Sequence, residues 1–277
     1  MRINEKVYLM RKEFFVTPTV KRYVNIYLIT GKYCYLIDSG VAGSEELVEE
    51  SLRSMGRKMT DLKGIFLTHA HPDHAGGAAS IKRLTGCNIY APEKEIDWIE
   101  DIDTQFRERP IPNFYQLLSE AVQVDCPVLG GDVIDLEEGL QIRALETTGH
   151  SQGSMSYILN GSTVFTGDAI PQANDLPIFV NYEESMRSLD KINALSEAEY
   201  FCPAWSDVFG SDELGKTIAD SRKRLKQLRY AAVQVEKESV GMSENEKITE
   251  IMKRADILQY AGNPLVEKSI EACRQQD

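Results

Sequence analysis

The chain has 277 residues, of which 42% are hydrophobic and 27% charged, with 43 acidic against 31 basic side chains and a formal charge of -12. A chain of this size buries roughly three quarters of its extended surface, so a full core is available, and ordinary Gly, Pro and aromatic contents exclude a disordered, collagen-like or disulfide-scaffold protein. The acidic balance makes nucleic acid an unfavourable partner, no run of 18 apolar residues offers a membrane span, and five scattered cysteines with no Cys-x-x-Cys pair read as reduced thiols of a cytoplasmic protein.

In chain order, apolar runs at residues 6–10, 23–30 and 33–38, broken by turns such as Thr30-Gly31-Lys32, predict antiparallel strands. Ser44 opens a 3.6-period run (Leu47, Ser51, Leu52, Met55) stopped by Gly56, which predicts the first helix. Residues 64–68 have the length of a buried strand ending at His69, and 77–84 predict the helix after it. A short strand follows at 87–90. Residues 92–125 then bring Trp98, Phe106, Phe114 and Tyr115 among acids and prolines, interrupt the sheet pattern, and read as an inserted lid over the functional site. Strands are expected at 133–135, 141–146, 155–159 and 163–166, with Asn160-Gly161 as a two-residue hairpin turn that needs positive φ at both positions.

Beyond residue 210 the composition changes to helix formers. Leu214, Ile218, Leu225, Leu228, Ala232 and Val235 share one face of a long amphipathic helix, Ser243-x-x-Glu246 is a capping box, and Asn263-Pro264 opens a third helix. The expected division is a main domain over 1–210 and a helical extension over 211–277.

Chemistry concentrates in one place. The chain has four histidines, and His69, His71 and His74 fall within six residues, with Asp73 between the last two. In an extended segment alternate side chains point the same way, so His69 and His71 converge. Pro72 keeps His71 out of helical geometry, and the turn into the next helix brings Asp73 and His74 toward the same cavity from a second direction. Imidazoles and a carboxylate together suit zinc, and equally iron or manganese. Without a cation, such a cluster is repulsive when protonated and costly to desolvate when neutral.

The segment Thr68-His69-Ala70-His71-Pro72-Asp73-His74-Ala75-Gly76-Gly77 resembles the His-x-His-x-Asp-His signature of the metallo-β-lactamase superfamily. Leu36-Ile37-Asp38-Ser39-Gly40, Thr148-Gly149-His150-Ser151 and Val164-Phe165-Thr166-Gly167-Asp168 resemble three further segments of that family, in the family's order. The resemblance implies an α/β (α+β) fold, a four-layer αβ/βα sandwich with the site at one edge between two sheets. It implies one metal site of His69, His71 and His150, a second that includes Asp73 and His74, and Asp168 bridging them. Asp38 would support a ligand rather than bind metal.

One position departs from the family pattern, which supplies a last histidine near the end of the sandwich. Here that stretch reads Phe201-Cys202-Pro203-Ala204-Trp205-Ser206-Asp207, and no histidine follows His150. An indole nitrogen is a donor only and cannot ligate. The expectation is one or two zinc ions, the second site weakened unless Asp207 or water fills the gap.

The resemblance implies a metal-dependent hydrolase acting on a small ester, thioester, lactone or related substrate through activated water, with Asp73 orienting that water or taking its proton. Three alternatives remain open. The missing histidine also fits a mononuclear-iron, oxygen-using enzyme of the same superfamily. The run Arg222-Lys223-Arg224-Leu225-Lys226 evokes RNA-processing relatives, although a charge run on a long helix is commonly a solvated face. Trp205 also fits a non-catalytic metal-binding protein whose helical tail forms a homodimer or partner contact.

Overall fold

Residues 1–173 and 175–274 are described by the computed structural model, and within them the apolar runs build two six-stranded sheets. The first holds β1 (Val7–Thr17), β2 (Val20–Thr30), β3 (Cys34–Ile37), β4 (Leu62–Phe66), β5 (Asn88–Pro92) and β6 (Cys126–Val128), in that spatial order. Its first three strands pair antiparallel and its last four parallel. The second sheet holds β7 (Val133–Glu137), β8 (Leu140–Glu146), β9 (Met155–Leu159), β10 (Thr163–Gly167), β11 (Tyr200–Pro203) and β12 (Phe209–Gly210). Only the β10–β11 pair in it is parallel.

Why the middle strands read as continuous apolar runs follows from their two covered faces. Along β2, Ile26 and Leu28 face outward with Leu36, Val48, Leu52 and Ile81, under α1 (Glu45–Ser54) and, beyond the short α2 (Pro72–Ala75), α3 (Ala78–Thr85). The alternate residues Tyr27 and Ile29 face inward and meet Ile142, Tyr157 and Phe165 of the second sheet. Phe66 closes the seam, stacked on Tyr90 at 4.2 Å and edge-on to Tyr157 at 5.4 Å.

Between β5 and β6 the inserted stretch folds as α4 (Ile96–Glu100), α5 (Ile102–Glu108) and α6 (Phe114–Leu117). The fourth layer is α7 (Tyr182–Asn193) with α8 (Ser211–Glu238), α9 (Glu244–Arg254) and α10 (Pro264–Arg274). Ile158, Val164 and Phe201 of the second sheet share one apolar cluster with Leu225, Leu228, Val266 and Ile270 of these helices. The architecture is thus the four-layer sandwich, with the C-terminal helices on the outer face of the second sheet.

The local signals hold where chemistry is specific. Asn160 and Gly161 have φ of 48° and 72°, α9 carries its Ser243–Glu246 capping box, and α10 begins at Pro264. β1 runs to Thr17, beyond the expected residue 10, because its charged outer half pairs with β2 in a half-exposed hairpin. Three short strands, β6, β11 and β12, carry too few residues to show a period.

Candidate metal centre

The site is assembled where strands end. β3 ends at Ile37 and is followed by Asp38, whose φ of 60° is a left-handed turn that Asp tolerates better than most residues. Its carboxylate accepts from Thr68 N–H at 2.7 Å and from Thr68 Oγ1 at 2.9 Å, and lies 2.8 Å from His74 Nδ1. One buried acceptor therefore pins both ends of the histidine segment. His71 is the extended N-cap of α2 and Pro72 opens that helix, so the chain turns sharply between the ligands.

His150 and Asp168 each follow a glycine that the packing requires. Gly149 has a φ of 120°, and a Cβ there would stand 2.3 Å from Ser185 N. Gly167 has a φ of 50°, and a Cβ would stand 2.7 Å from Thr68 Oγ1. Both turns press the following side chain against the histidine segment.

Five of the six sequence-predicted residues fall into two overlapping ligand sets, and the sixth, Asp73, stands beside them. Ligand atoms of His69, His71 and His150 lie within 4.8 Å of one another, as do those of His69, His74 and Asp168. His69 belongs to both sets. Asp168 spans them, with Oδ1 3.2 Å from His74 Nε2 and Oδ2 3.3 Å from His150 Nε2. Asp73 belongs to neither set but stands beside the second, its Oδ2 3.3 Å from His74 Nε2. Asp38 stays behind His74, as a support.

Electrostatics divides the cluster. Burial drives His69 and His71 well below the ordinary imidazole range, and lowers His150 less. Burial would lower His74 too, but Asp168, Asp38 and Asp73 outweigh it and hold that ring well above its usual value. Burial alone would raise Asp168, and the facing His74 and His150 hold it below the usual carboxylate range. A direct test of fit for a cation comes from the orphaned atoms: Nε2 of His69, His71 and His74 and Oδ1 of Asp168 are buried with no hydrogen-bond partner among the described residues. Native interiors rarely leave such groups unpaired, and these atoms divide between the two ligand sets, where divalent ions would take up imidazole nitrogens and a carboxylate oxygen. The remaining nitrogens of two rings are already fixed, His69 Nδ1 at 3.0 Å from Thr68 Oγ1 and His150 Nδ1 at 2.8 Å from Ile178 O, which sets their orientation.

Trp205 arrives from the end of β11 and its Nε1–H donates to Asp168 Oδ2 at 3.1 Å. An indole thus occupies the flank of Asp168. Asp207 does not fill the gap: it is exposed and paired with Arg11 at 2.9 Å, because the chain turns outward after Trp205. Nor does the basic run of α8 form a continuous cationic face. Arg222 is bonded to Asp190, and Arg224 is buried against Ala255 O at 3.1 Å.

The inserted segment contributes more than the aromatics that suggested a lid. Phe106, Phe114 and Tyr115 pack on one another, while Trp98 lies with its ring 6.3 Å from that of His71 and donates to Glu108 at 2.7 Å. Sequence reasoning missed Glu95, Gln105 and Arg109. Buried Glu95 accepts from Ala70 N–H at 3.1 Å, from Ser151 Oγ at 2.6 Å and from Gly153 N–H at 2.7 Å, tying the His69–His71 loop to the His150 loop. Gln105 Nε2 donates to Ala70 O at 2.6 Å. Arg109 is buried beside them. No local signal marks these three, which look like ordinary charges and amides of short helices.

Comparison with known proteins places this geometry. The family model described as the metallo-beta-lactamase superfamily matches residues 19–205. A hydroxyacylglutathione hydrolase of Hyphomonas neptunium is 29% identical over 165 residues, 59% of this chain and 56% of that protein. A probable metallo-hydrolase of Methanocaldococcus jannaschii is 28% identical over 186 residues, 61% of this chain and 84% of that protein. The chain spans about half the length of the hydroxyacylglutathione hydrolases it matches. A crystal structure of a metallo-beta-lactamase family protein from Thermus thermophilus superposes with a TM-score of 0.76 at 18% identity, covering 98% of this chain and 93% of that one. That likeness concerns the fold.

Proposed function

Starting from a chain that belongs to the metallo-beta-lactamase superfamily, we propose that it is a metal-dependent hydrolase whose substrate is a small thioester or related activated ester. The observation that carries the reading is the convergence of His69, His71 and His150, and of His69, His74 and Asp168, with buried unpartnered atoms left on four of these side chains. His69, His71 and His150 would hold the principal ion, most simply zinc, and His74, Asp73 and Asp168 would offer a second, poorer seat. An ion held there supplies an acidified water and a Lewis acid for the acyl oxygen.

The chain's own groups do the rest. Asp73, half-buried beside His74 Nε2 at 3.3 Å, takes the proton of the attacking water. Asp38 holds the His74 ring by its far nitrogen, so that ring presents one fixed edge to the site. Water adds its oxygen to the acyl carbon, the bond to the leaving sulfur or oxygen breaks, and the proton ends on the leaving group. All four histidines of the chain are in the cage, so a good leaving group that needs little acid help is the matching chemistry. This is why a thioester fits better than an amide. A cleft lined by Tyr23, Gln172 and Trp205 adjoins the centre through the indole, whose Nε1–H donates to Asp168.

The test is thiol release from a simple hydroxyacyl thioester by the zinc-loaded chain, with oxygen consumption followed in parallel. Release that His69→Ala abolishes, without oxygen uptake, supports the reading. Oxygen-dependent turnover by an iron-loaded sample, or metal held firmly with no turnover across thioesters, esters and lactones, overturns it.

A further inference from the structure

A guanidinium taken out of water loses its hydration and needs acceptors in return. Among the described residues two arginines are buried, Arg109 and Arg224. Arg224 is satisfied by the carbonyl oxygens of Ala255 at 3.1 Å and Asp175 at 3.3 Å. Arg109, 6% exposed, has no side-chain hydrogen bond among the described residues and no carboxylate oxygen within 4.0 Å.

Its position is fixed by the helix that carries it. Arg109 is the C-cap that follows α5, and its N–H donates to Gln105 O at 2.8 Å. Gln105, four residues earlier, is fastened to Ala70 O between His69 and His71 at 2.6 Å. Gln105 thus holds α5 against the His69–His71 loop, and Arg109 sits one turn further on, at the C-cap of that helix. Asp73, Asp168 and Glu95 are the carboxylates whose field it feels, yet each is engaged elsewhere: Glu95 by Ala70, Ser151 and Gly153, Asp168 by Trp205, and Asp73 beside His74. Burial pulls the guanidinium down to about 10, which leaves it charged at neutral pH. A buried cation beside a cage that would hold a divalent ion, with no side-chain hydrogen bond among the described residues, is arranged for an anion that arrives from outside.

We propose that Arg109 is the anchor for an oxyanion carried by the substrate close to the bond that is cut, a carboxylate or phosphate whose paired oxygens match the guanidinium fork. The assignment rests on the hydrolytic reading above and adds the substrate's charge to it. It makes the inserted segment a specificity element as well as a brace.

Two readouts test it on the full zinc-loaded chain. The first is kcat/KM for two thioester pairs: the acetyl thioesters of 3-mercaptopropanoate and of its methyl ester, and the succinyl and monomethylsuccinyl thioesters of ethanethiol. The anionic member of at least one pair should be preferred by about 10- to 100-fold, the worth of one charge-assisted hydrogen-bonded pair. Arg109→Met should collapse that preference and Arg109→Lys should restore part of it. The second readout is calorimetric binding of inorganic phosphate, which Arg109→Met should weaken about tenfold or more, with circular dichroism and melting confirming that both variants fold. If no thioester is turned over but phosphate binding still depends on Arg109, the hydrolytic reading fails and the anion site stands. If Arg109→Met keeps the wild-type preference and phosphate affinity, or if the thioesters are turned over with neither anionic member preferred, the proposal is overturned.

Discussion

The two halves of the candidate centre share His69 and differ in how they are closed. On one side, His69, His71 and His150 converge from two loops as buried imidazoles that burial keeps neutral. On the other, His74 and Asp168 are surrounded by carboxylates, and Trp205 presents a donor where an acceptor would be needed to complete a ligand set. The comparison teaches that ligand residues close together in space are not equivalent offers to a cation. Neutral imidazole lone pairs aimed inward can bind at once, whereas a His74 ring held well above its usual pKa by Asp168, Asp38 and Asp73 must first surrender a proton.

The most damaging way to break the comparison is to remove the residue both halves use. His69→Ala should empty both seats and lower kcat/KM by at least about a thousandfold, read as metal content and turnover together. His150→Ala should strip only the first set. Equal residual metal in the two variants would refute the sharing.

Next in size is Asp38→Ala. It deprives Thr68 N–H, Thr68 Oγ1 and His74 Nδ1 of their common acceptor. Loss of about 2–4 kcal/mol of stability is expected from buried donors left unpaired, with metal affinity on the His74 side falling about 10- to 100-fold. Denaturant unfolding and zinc titration read the two effects separately. A variant as stable as the parent would show that Asp38 is not the pin.

Trp205→His sharpens the comparison instead. It exchanges the donor on Asp168 for a potential ligand, and should tighten binding at the second seat about tenfold or more while leaving the first seat's affinity unchanged. Calorimetric metal titration checks it. A titration identical to the parent's would place Trp205 outside the ligand geometry.

The smallest effect tests a connection from the C-terminal helices. Ser269 Oγ of α10 accepts from Phe179 N–H at 3.1 Å, next to the Ile178 carbonyl that lies 2.8 Å from His150 Nδ1. Ser269→Ala should cost about 1 kcal/mol of stability and reduce turnover only a few fold, because His150 keeps its own contact. A melting curve unchanged from the parent would sever that link.

How much of this was legible in the sequence depends on the range of the interaction. The histidine segment, the Asn160-Gly161 turn and the Ser243 capping box are local, and the order of residue types alone marks them. The convergence of His150 and Asp168 on that segment is not local, and their resemblance to family segments supplied it. Glu95, Gln105 and Arg109 escaped because their roles exist only once α4 and α5 lie across the cage. In the sequence, Arg109 is one more charge before a proline. The gap beside Trp205 was visible, but Asp207 was a candidate to fill it only until the turn after β11 carried that side chain out to Arg11.

The central claim is that this chain cages a divalent ion with the two halves unequal. Titrating the metal-free chain with zinc tests it most directly. One tightly bound equivalent followed by a second weaker by at least about tenfold, the first lost in His150→Ala and the second in His74→Ala, is the result expected. Two equivalents bound in a single phase of equal affinity, or no zinc bound at all, would contradict it.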